Sequence, residues 1–410
     1  MSNSRQRNVL FISYDGLVDP LGLSQVVYCI IELAKRIPAR IIVLSYDKQE
    51  AMSDILKVKQ IEEKLKDVGI EWLSLRYHKT PQFFSTLYDI IIGWIVGCRI
   101  IKKYNIAIVH CRSYVPALMG LFFKKLFKIK FIFDMRGFWA DERIEGGIWS
   151  DSYLYKLTKY FEKKFILSAD TIIALTENAK HEILSFDYFK KYLEICIIPT
   201  LVDTQLFRFN ENKEIADDID RICSNKFVFV YLGSLGTWYD VDAIYDFFIR
   251  AKALIDNAYL LIITSQIGLA KAKMGEKRLA FADISIINVE HSQIPGYLNR
   301  AKVGLAFYRP GYSRKGCSPV KAGEYLACGI PLVINQGIGD MDRIITDNKI
   351  GAVVSAFCDH EYCKAISTIK ELFKEPLVLR RRCRAVAEEY FSLSKGVDKY
   401  QQIYQRLLEI

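Results

Sequence analysis

Two oppositely charged side chains stand out in an otherwise apolar stretch, CSPVKAGEYLACGIPLVIN, which runs from Cys317 to Asn335. If Ser318 caps a helix that starts at Pro319, Lys321 and Glu324 lie three residues apart on one face of its first turns. The free N–H groups of a helix start attract phosphate, and a carboxylate can accept hydrogen bonds from a ribose diol. The pattern therefore predicts a nucleotide site, and the alternative is a surface ion pair.

Two glycine-containing loops, one in each half of the chain, follow strand-like runs. Gly16 and Gly22 lie in DGLVDPLGLSQ, and Gly233, Ser234 and Gly236 lie in YLGSLGTWY. A glycine loop that opens a helix is a ready anion site, because backbone N–H groups converge there. Neither loop has the G-x-G-x-x-G spacing of a nicotinamide dehydrogenase. We therefore expect the loops to contact phosphate or sugar, against the alternative of ordinary turns.

Polar and aromatic side chains follow two strand-like runs of the first half. His110 ends the run IAIVH, and the next run leads into FDMRGFWADERIEGG. A histidine at a strand end is a candidate for a ligand contact, although a lone histidine is often structural. Aromatic rings beside carboxylates and cations are typical of a carbohydrate surface, and the alternative is a loop of paired charges. This surface would comprise Arg112, Arg136, Trp139, Asp141 and Glu142.

No metal site is predicted. CDHEYC, from Cys358 to Cys363, has a ligand spacing that matches no common zinc pattern. The three Asp-x-Asp triplets do not follow strands as a metal–nucleotide site would need; they are Asp218/Asp220, Asp240/Asp242 and Asp340/Asp342. The ten cysteines have no framework spacing and no secretion signal is visible, so we expect reduced thiols in a cytosolic protein.

Short runs rich in Val, Ile and Phe recur between longer helical patterns, and this alternation occurs twice. Runs that are apolar on both faces are typical of parallel strands covered by helices. The predicted fold class is α/β, with two doubly wound Rossmann-like domains that face a cleft and a boundary near residue 205. The polar stretch 208–221 is expected to be a linker with an early helix, and 379–410 to be terminal helices. The predicted strands are 8–14, 40–46, 106–110, 130–134 and 171–175 in the first half, and KFVFVYL, YLLIIT, ISIINV, VGLAFY, PLVIN and GAVVS in the second.

The chain has 410 residues and a formal net charge of +10, which favours anionic partners such as nucleotide phosphates or acidic lipid. Nucleic acid ranks last, since no nucleic-acid-binding signature is present. The most apolar window, 88–105, has an uncharged core of about ten residues, and a membrane span needs roughly 20. We expect a buried or interfacial helix there and no transmembrane segment. GLFFKKLFKIKF, 120–131, mixes lysines with large apolar residues, as an interfacial helix or a buried helix with solvated lysines does.

The chain resembles the GT-B glycosyltransferases of the family 4 type over essentially its whole length. The fairly specific part is a Ser-Pro-x-Lys-x-x-Glu-Tyr-x-Ala-x-Gly-x-Pro arrangement, formed by Ser318, Pro319, Lys321, Glu324, Tyr325, Ala327, Gly329 and Pro331. DPLGLSQV, LGSLGTWY and the strand end at His110 add to it. The resemblance implies an acceptor-side domain over 1–205, a donor-side domain over 206–390 and a helix over 391–410 that packs back on the first domain. It also implies metal-independent hexosyl transfer from a nucleotide-sugar, with retention and without a cofactor.

The resemblance also implies roles for individual residues. Glu324 would hold the donor ribose, Gly22 would approach the diphosphate, and His110 would contact the transferred sugar. The acceptor would meet the carbohydrate surface of the first half. The donor would further contact Gly233, Ser234, Gly316, Cys317, Ser318, Pro319 and Val320.

Two positions depart from the family pattern. A second glutamate often stands eight residues before the ribose-binding one, and here that position is Gly316. An Arg and a Lys often follow the second glycine loop, whereas LGTWYD offers neither. A leaving diphosphate still needs positive charge. We therefore expect a substitute from among Arg314, Lys315 and Lys321, or from Arg112 and Arg136 of the first domain.

The leading hypothesis is a retaining glycosyltransferase that extends a glycan or lipid-linked glycan in surface polysaccharide biosynthesis. Its partners would be a nucleotide-sugar, that acceptor and an acidic membrane contacted peripherally. It would act in the cytoplasm, at the inner face of the plasma membrane. Two other classes stay open: a nucleotide-sugar epimerase or phosphorylase of GT-B shape, and a catalytically silent sugar-binding protein. The missing glutamate and the missing Arg/Lys pair keep the silent protein open.

Overall fold

The computed structural model describes residues 7–78, 80–150, 153–189, 193–209, 223–279 and 281–409. The chain divides into two compact units. Unit 1 comprises Met1–Leu201 and Leu393–Ile410, and unit 2 comprises Val202–Ser392. Unit 1 ends at Leu201, four residues before the boundary predicted near residue 205. Its last segment begins at Leu393, two residues after the predicted start at 391. The predicted linker 208–221 lies largely outside the described residues, and the Asp218/Asp220 pair lies wholly outside them.

Unit 1 is built on a seven-stranded parallel sheet in the order β3-β2-β1-β4-β5-β6-β7. Its strands are β1 (Asn8–Ser13), β2 (Ile41–Asp47), β3 (Glu71–Arg76), β4 (Ile106–Arg112), β5 (Lys130–Asp134), β6 (Thr171–Ala174) and β7 (Ile195–Ile197). In the register, Val9 of β1 pairs with Ile41 on one side and Ile108 on the other. Every residue of β1 and β2 is buried, because helices cover both faces of the sheet.

Nine helices described in the first segment of unit 1 connect these strands. They are α1 (Pro20–Gly22), α2 (Tyr28–Ala34), α3 (Gln49–Met52), α4 (Ile55–Asp67), α5 (Gln82–Tyr104), α6 (Tyr114–Phe127), α7 (Trp139–Glu145), α8 (Tyr153–Ser168) and α9 (Glu177–Leu184). A π-helical turn, Leu23–Val27, joins α1 to α2. By length and composition alone, the part of α5 from Phe83 to Tyr104 is long and apolar enough to cross a membrane. The prediction that the apolar window 88–105 is too short for this is therefore wrong. The same helix packs against β1, β4 and α6.

Unit 2 is built on a six-stranded parallel sheet in the order β10-β9-β8-β11-β12-β13. Its strands are β8 (Phe227–Leu232), β9 (Ala258–Ile263), β10 (Ile284–Ile287), β11 (Val303–Ala306), β12 (Leu332–Asn335) and β13 (Gly351–Val354). Its described helices are α10 (Val241–Leu254), α11 (Ile267–Glu276), α12 (Ile294–Leu298), α13 (Val320–Ala327), α14 (Met341–Asn348), α15 (Asp359–Leu372) and α16 (Pro376–Val386). Phe229 of β8 pairs with Leu260 of β9 and with Val303 of β11.

Both units confirm the predicted doubly wound architecture. The first strand of each unit lies inside its sheet, and the strand order reverses between β1 and β4 in unit 1 and between β8 and β11 in unit 2. Ligands of such sheets bind beyond the carboxyl ends of the strands, next to the reversal. This edge of each sheet is therefore where the candidate site residues have to be located.

The last helix, α17 (Leu393–Leu408), belongs to unit 1, as the resemblance implied. Its buried side chains Val397, Tyr400, Ile403 and Tyr404 share a core with the central strands β1 and β4. The chain reaches this helix from unit 2 through a π-helical turn, Ala387–Phe391. The predicted terminal helices are thus present, and the final one completes the first unit.

All five strands predicted in the first half and all six in the second are present, whereas β3 and β7 were missed. β3 is partly exposed along its length and carries Glu71 and Arg76 at its ends, so its sequence lacks the apolar run of a covered strand. β7 has three residues, which is too short for a recognisable pattern. Both missed strands lie at the edges of their sheet, where burial is incomplete.

Truncating Ile403 to Ala should destabilise unit 1. The side chain is 4% exposed within the core shared with β1, and loss of such a side chain costs about 2–5 kcal/mol of the free energy of unfolding. Urea denaturation followed by circular dichroism measures the loss. Gln402→Ala is the matched control, because Gln402 is an exposed neighbour on the same helix. Equal stability of the two variants would show that α17 is not part of the core of unit 1.

Candidate functional site

At the carboxyl end of β8 the chain turns through Gly233 and Gly236, whose φ angles are +114° and +77°. Glycine reaches this region of φ without the steric penalty of a side chain. The Gly233 N–H donates to the Ile263 carbonyl at the end of β9, at 2.9 Å. The turn is therefore tied to the neighbouring strand, and Ser234 is exposed at its tip.

Lys321, in the first turn of α13, directs its ammonium group toward this turn. Nζ lies 4.1 Å from the centre of the Tyr231 ring, 3.7 Å from that of Tyr239 and 5.9 Å from that of Tyr308. A β-carbon added at Gly233 would lie 3.4 Å from Nζ. Ring faces attract a cation at these distances. Among the described residues Nζ has no hydrogen-bond partner, and the three rings and the glycine turn lie next to it.

Burial lowers the pKa of the Lys321 ammonium well below the usual lysine value, and the nearby Glu324 and Cys317 offset this only in part. A cation taken out of water without an anion in contact is unfavourable, and the proton is held less tightly as a result. An anion bound next to Gly233 would reverse that balance. The arrangement is therefore suited to bind a negatively charged group.

Glu324 lies one helical turn after Lys321 and is also buried. Its Oε1 atom is 3.5 Å from Nε2 of His291, which lies in the loop after β10. The His291 ring in turn packs edge-on against Phe207, with ring centres 5.4 Å apart. Because Lys321 and Glu324 are both buried and do not pair with each other, the alternative of a surface ion pair is wrong.

The start of α13 differs slightly from the prediction. The helix begins at Val320, and the residue at its N-cap position is Pro319, which makes no side-chain cap hydrogen bond. The predicted start at Pro319 with a cap by Ser318 is therefore wrong by one residue. The difference leaves Lys321 and Glu324 on the buried side of the helix.

Arg314 lies in a 3-10 turn, Tyr312–Gly316, which precedes α13. Its guanidinium carbon is 5.3 Å from the centre of the Trp238 ring, and its carbonyl accepts the N–H groups of Cys317 at 3.0 Å and Gly339 at 2.8 Å. Arg314 is buried, whereas the adjacent Lys315 is exposed. Arg314 and Lys321 thus both contact the segment 231–239, and Lys315 does not share their environment.

The other predicted donor residues of this segment end that 3-10 turn or follow it. Gly316, Ser318 and Pro319 are buried, and Cys317 and Val320 are half-buried. No carboxylate stands at position 316, eight residues before Glu324. Of the acidic triplets, Asp240 caps α10 by accepting the Ala243 N–H at 2.9 Å. Within the part of the chain that the structure describes, no three His, Cys, Asp or Glu side chains come together as metal ligands would.

In unit 1, four side chains surround the carboxylate of Asp134 at the end of β5. His110 Nε2 lies 3.6 Å and Arg112 Nη1 3.9 Å from Oδ2, and Arg136 Nη1 lies 3.9 Å from Oδ1. The Tyr400 hydroxyl of α17 donates to Oδ2 at 3.3 Å. Burial on its own would raise the pKa of Asp134, but Arg136, His110 and Arg112 hold it below the usual aspartate value. The result is a buried anion whose charge is compensated.

His110 is completely buried beneath α17. Its Nδ1 atom is 2.7 Å from the Tyr404 hydroxyl oxygen, and its ring centre is 4.5 Å from that of Phe11. Burial lowers the pKa of His110, against the opposing effect of Asp134, so the imidazole is neutral at neutral pH. These contacts are internal to unit 1, and the contact of His110 with the transferred sugar stays a prediction.

Gly22 has a packing role that the sequence did not reveal. A β-carbon there would lie 1.8 Å from the carbonyl oxygen of Gly16, so no other residue fits without moving the backbone. A β-carbon at Gly16 would lie 2.8 Å from Oδ1 of Asp47. The first glycine loop therefore folds tightly on itself and on the end of β2. Its contact with a diphosphate stays a prediction.

The predicted carbohydrate surface does not form one continuous patch. Its two arginines belong to the cluster around Asp134, whereas Trp139 packs edge-on against Trp149, with ring centres 5.0 Å apart. Asp141 accepts a hydrogen bond from Lys159 of α8 at 3.0 Å, so its carboxylate is directed into the unit. Glu142 is half-buried. Only part of the predicted set is accessible to an acceptor.

Several residues of the site were not found from the sequence. Two of the tyrosines around Lys321 carry a weak signal, because they lie in strand-like runs, in VYLG and AFYR, whereas the third, in TWYD, follows the second glycine loop. His291 has only a polar loop after ISIINV to mark it. Tyr404 carries no signal at all, since 294 positions separate it from its partner His110.

Replacing Lys321 by Met removes the buried ammonium and keeps a side chain of similar length. We expect the free energy of unfolding at neutral pH to rise by about 1 kcal/mol or more, since a buried charge without a counterion is unfavourable. The pKa of Lys321 is lower in the folded state than in the unfolded state. The destabilisation of the wild type by the buried ammonium is therefore fully present at any pH below the folded-state pKa. It fades as the pH rises toward the unfolded value of about 10.4.

Denaturant unfolding of both proteins across this pH range measures the difference. Lys374→Met is the control, because the Lys374 side chain is 71% exposed, and it should change stability little at any pH. A lower stability of Lys321→Met at neutral pH would show that the ring faces compensate the charge in full.

The sequence itself matches one family model. Residues 26–206 match the model described as Glycosyltransferase Family 4. No curated protein sequence matches the chain. The matched residues cover most of unit 1, including the strand end at His110 and Asp134 with its two arginines, and they begin directly after the first glycine loop.

Solved structures match the chain over nearly its whole length. A glycosyltransferase from Rickettsia africae ESF-5 shares 17% identity at a TM-score of 0.70, over 98% of this chain and 99% of that one. Sucrose-phosphate synthase from Thermosynechococcus elongatus shares 13% identity at a TM-score of 0.71, over 98% and 100%. HepE of Anabaena, solved in complex with UDP and glucose, shares 12% identity at a TM-score of 0.67, over 98% and 100%. At such identities the likeness shows the fold.

The family match in the first unit and the fold of the whole chain agree with each other and with the site. The chain therefore has the GT-B fold, and its residues 26–206 match the model of Glycosyltransferase Family 4.

Proposed function

We propose that the protein is a retaining glycosyltransferase that moves a hexosyl group from a nucleotide-sugar to a glycan or lipid-linked glycan acceptor. The observation that carries the proposal is the ammonium of Lys321, buried without an anion beside Gly233 and one helical turn from Glu324. A ligand that suits both groups has a negative charge close to a pair of hydroxyl groups. The diphosphate and ribose of a nucleotide-sugar meet that description.

In this proposal Glu324 accepts hydrogen bonds from the two ribose hydroxyl groups, and His291 helps to orient its carboxylate. The diphosphate lies at the start of α13, where the free N–H groups and Lys321 stabilise the charge that develops on the leaving nucleotide. Arg314, stacked on Trp238, supplies the second positive charge. These two cations take the place of a metal ion and of the Arg/Lys pair that the family often has.

The donor type is supported by a protein of the same fold. HepE of Anabaena has been solved in complex with UDP-glucose as well as with UDP and glucose. HepE shares the fold of this chain. The buried carboxylate of Glu324 and the buried ammonium of Lys321, which lie one helical turn apart at the end of the second sheet, suit the same class of ligand. A nucleotide-sugar is accordingly the donor that we propose here.

Retention places the acceptor on the face of the sugar from which the diphosphate leaves. The acceptor oxygen forms the new bond to the anomeric carbon as the bond to the diphosphate breaks, and the acceptor proton passes to the departing phosphate oxygen. Since position 316 is glycine, the transferred sugar is held in this proposal by backbone groups of 316–320 and not by a carboxylate.

The cellular setting is part of the proposal. A basic chain with a formal net charge of +10 is attracted to acidic lipid surfaces, which suits an enzyme that elongates a lipid-linked glycan. We accordingly assign it to surface polysaccharide biosynthesis, in the cytoplasm at the inner face of the plasma membrane.

Donor binding is tested by the melting temperature of the protein with a panel of nucleotides and nucleotide-sugars. We expect one nucleotide-sugar, and its nucleoside diphosphate, to raise the melting temperature, because a ligand that binds only the folded state stabilises it. The same donor should be hydrolysed slowly without an acceptor. Absence of stabilisation by every member of the panel would contradict the proposal.

Glu324→Gln should weaken nucleoside diphosphate binding about tenfold to 100-fold, because hydrogen bonds to a charged acceptor contribute about 1.5–3 kcal/mol. Lys321→Met should lower turnover about 10²-fold or more, because it removes a charge that stabilises the leaving group. Isothermal titration calorimetry and donor hydrolysis measure the two effects.

Glu371→Gln and Lys374→Met are the matched controls, since these side chains pair with each other at an exposed position of unit 2. If Arg314→Ala and Lys321→Met both left turnover unchanged, the assignment of the diphosphate charges would be wrong. Conversion of the donor into an epimer without any acceptor would instead identify a nucleotide-sugar epimerase.

A further inference from the structure

Helix α5 presents an unusually apolar face to solvent. Six large apolar side chains on it are between 42% and 68% exposed: Phe83, Phe84, Leu87, Tyr88, Ile91 and Ile95. The spacing of Phe84, Tyr88, Ile91 and Ile95 aligns them along one side of the helix. We call these six residues the α5 face. Large apolar groups clustered in this way are typical of an interaction site and not of an ordinary surface.

The opposite side of α5 is fastened to unit 1. The Asp89 carboxylate accepts the Tyr14 hydroxyl at 2.8 Å and lies 2.6 Å from His78 Nδ1, and the Asp89 carbonyl accepts the Tyr46 hydroxyl at 2.8 Å. A β-carbon at Gly97 would lie 2.3 Å from the Phe123 ring, which shows how closely α6 approaches. The helix is therefore held against the sheet along its length. It can lie on a membrane without leaving the fold, whereas crossing one would break these contacts.

The α5 face continues onto α6. The rings of Trp94 and Phe122 are 5.1 Å apart, and Leu126 of α6 is 56% exposed one turn further on. The lysine-containing segment 120–131 contributes little else, because Gly120, Leu121 and Phe123 are buried. The predicted membrane contact through that segment alone is therefore not supported. α5, and not α6, carries most of the exposed apolar surface.

The exposed charges on α5 and α6 themselves have one sign. The acid within α5 is Asp89, which is 1% exposed, and α6 contains none. Arg99 and Lys102 are exposed where the apolar stripe ends, and Lys125 is exposed on α6. Apolar side chains bordered by basic ones complement an anionic bilayer. The apolar side chains enter the boundary between headgroups and acyl chains, and the basic side chains contact the headgroups.

We propose that the α5 face docks unit 1 on an anionic lipid bilayer. The first turns of α5 lie next to the carboxyl edge of the sheet of unit 1, because Asp89 contacts Tyr14 and His78. Tyr14 is the first residue after β1, and His78 is the second residue after β3. Docking by this face brings that edge to the membrane surface, where a lipid-anchored acceptor presents its glycan. The inference rests on the proposed function only in that the acceptor is lipid-linked.

Flotation with vesicles tests the proposal. We expect the full-length protein to float with vesicles of phosphatidylglycerol and phosphatidylcholine and to float poorly with phosphatidylcholine alone. Phe84→Ser combined with Ile91→Ser should reduce the bound fraction about tenfold or more, since apolar insertion is the main attraction. Arg99→Glu combined with Lys102→Glu should reduce binding to the anionic vesicles and remove most of its salt dependence.

Leu377→Ser combined with Val378→Ser is the matched control, because these apolar side chains are 62% and 45% exposed on α16 of unit 2. It should float like the wild type. Wild-type binding that Phe84→Ser/Ile91→Ser does not reduce would overturn the proposal, and so would absence of wild-type binding. If the face instead covers a second copy of the chain, light scattering without lipid would show a dimer that this double variant converts to a monomer, and that result would also overturn it.

The membrane-docking proposal and the proposed function can be tested independently of each other. The residues of the α5 face are in unit 1 and the donor residues are in unit 2. The Phe84→Ser/Ile91→Ser variant should therefore keep the melting temperature shift with the nucleotide-sugar in solution. A protein that binds the donor but no vesicle contradicts the docking surface alone, and a protein that binds vesicles but no donor contradicts the donor site alone.

Discussion

The donor site that we propose depends on an ammonium group that is kept out of water without a hydrogen-bonded anion. Lys321 is prevented from turning toward solvent because α13 is held tightly against the sheet. The Tyr325 hydroxyl accepts the Leu232 N–H at the end of β8 at 2.8 Å. Its ring occupies the space above Gly304 of β11, where a β-carbon would lie 2.3 Å away. Packing of an apolar helix face thus enforces an electrostatically unfavourable position, and a bound anion is what relieves it.

Unit 1 handles a buried charge in the opposite way. Asp134 is surrounded by cationic and hydrogen-bonding groups from its own sheet and from α17, so its charge is compensated without a ligand. Breaking such a cluster by removing one partner leaves an uncompensated charge in the interior. The two units therefore differ at the same place in the fold. The buried charge of unit 1 is compensated by the protein itself, whereas Lys321 Nζ of unit 2 has no hydrogen-bond partner among the described residues, and we propose that a substrate supplies one.

The sequence was sufficient for the sheets and for the placement of Lys321 and Glu324 one helical turn apart, because both depend on local patterns. Covered strands are recognisable by their apolar runs, and Lys321 and Glu324 are brought together by helical spacing alone. Contacts that join distant parts of the chain were not accessible in this way. His110 was interpreted as a candidate for a ligand contact because it ends a strand, but α17 covers it, and nothing near His110 in the sequence indicates that. Gly22 was interpreted through a ligand, whereas its neighbour Gly16 already explains it. The apolar window 88–105 was judged by its short uncharged core, and nothing in the sequence near Asp89 indicates that this carboxylate is buried.

The position of α17 has a consequence for the order in which the protein is made. The two ends of unit 2 pair with each other, since the Val202 N–H donates to the Phe391 carbonyl at 2.8 Å and Val202 bridges Ser392. Unit 2 is thus an insertion within unit 1, and it is synthesised in full before the last helix leaves the ribosome. Domains generally fold as units during synthesis, starting from the N-terminus. Here the N-terminal sheet emerges first but has to wait, with Asp134 and His110 uncovered, until the final residues of the chain arrive. The unit that is begun first is the one that is finished last.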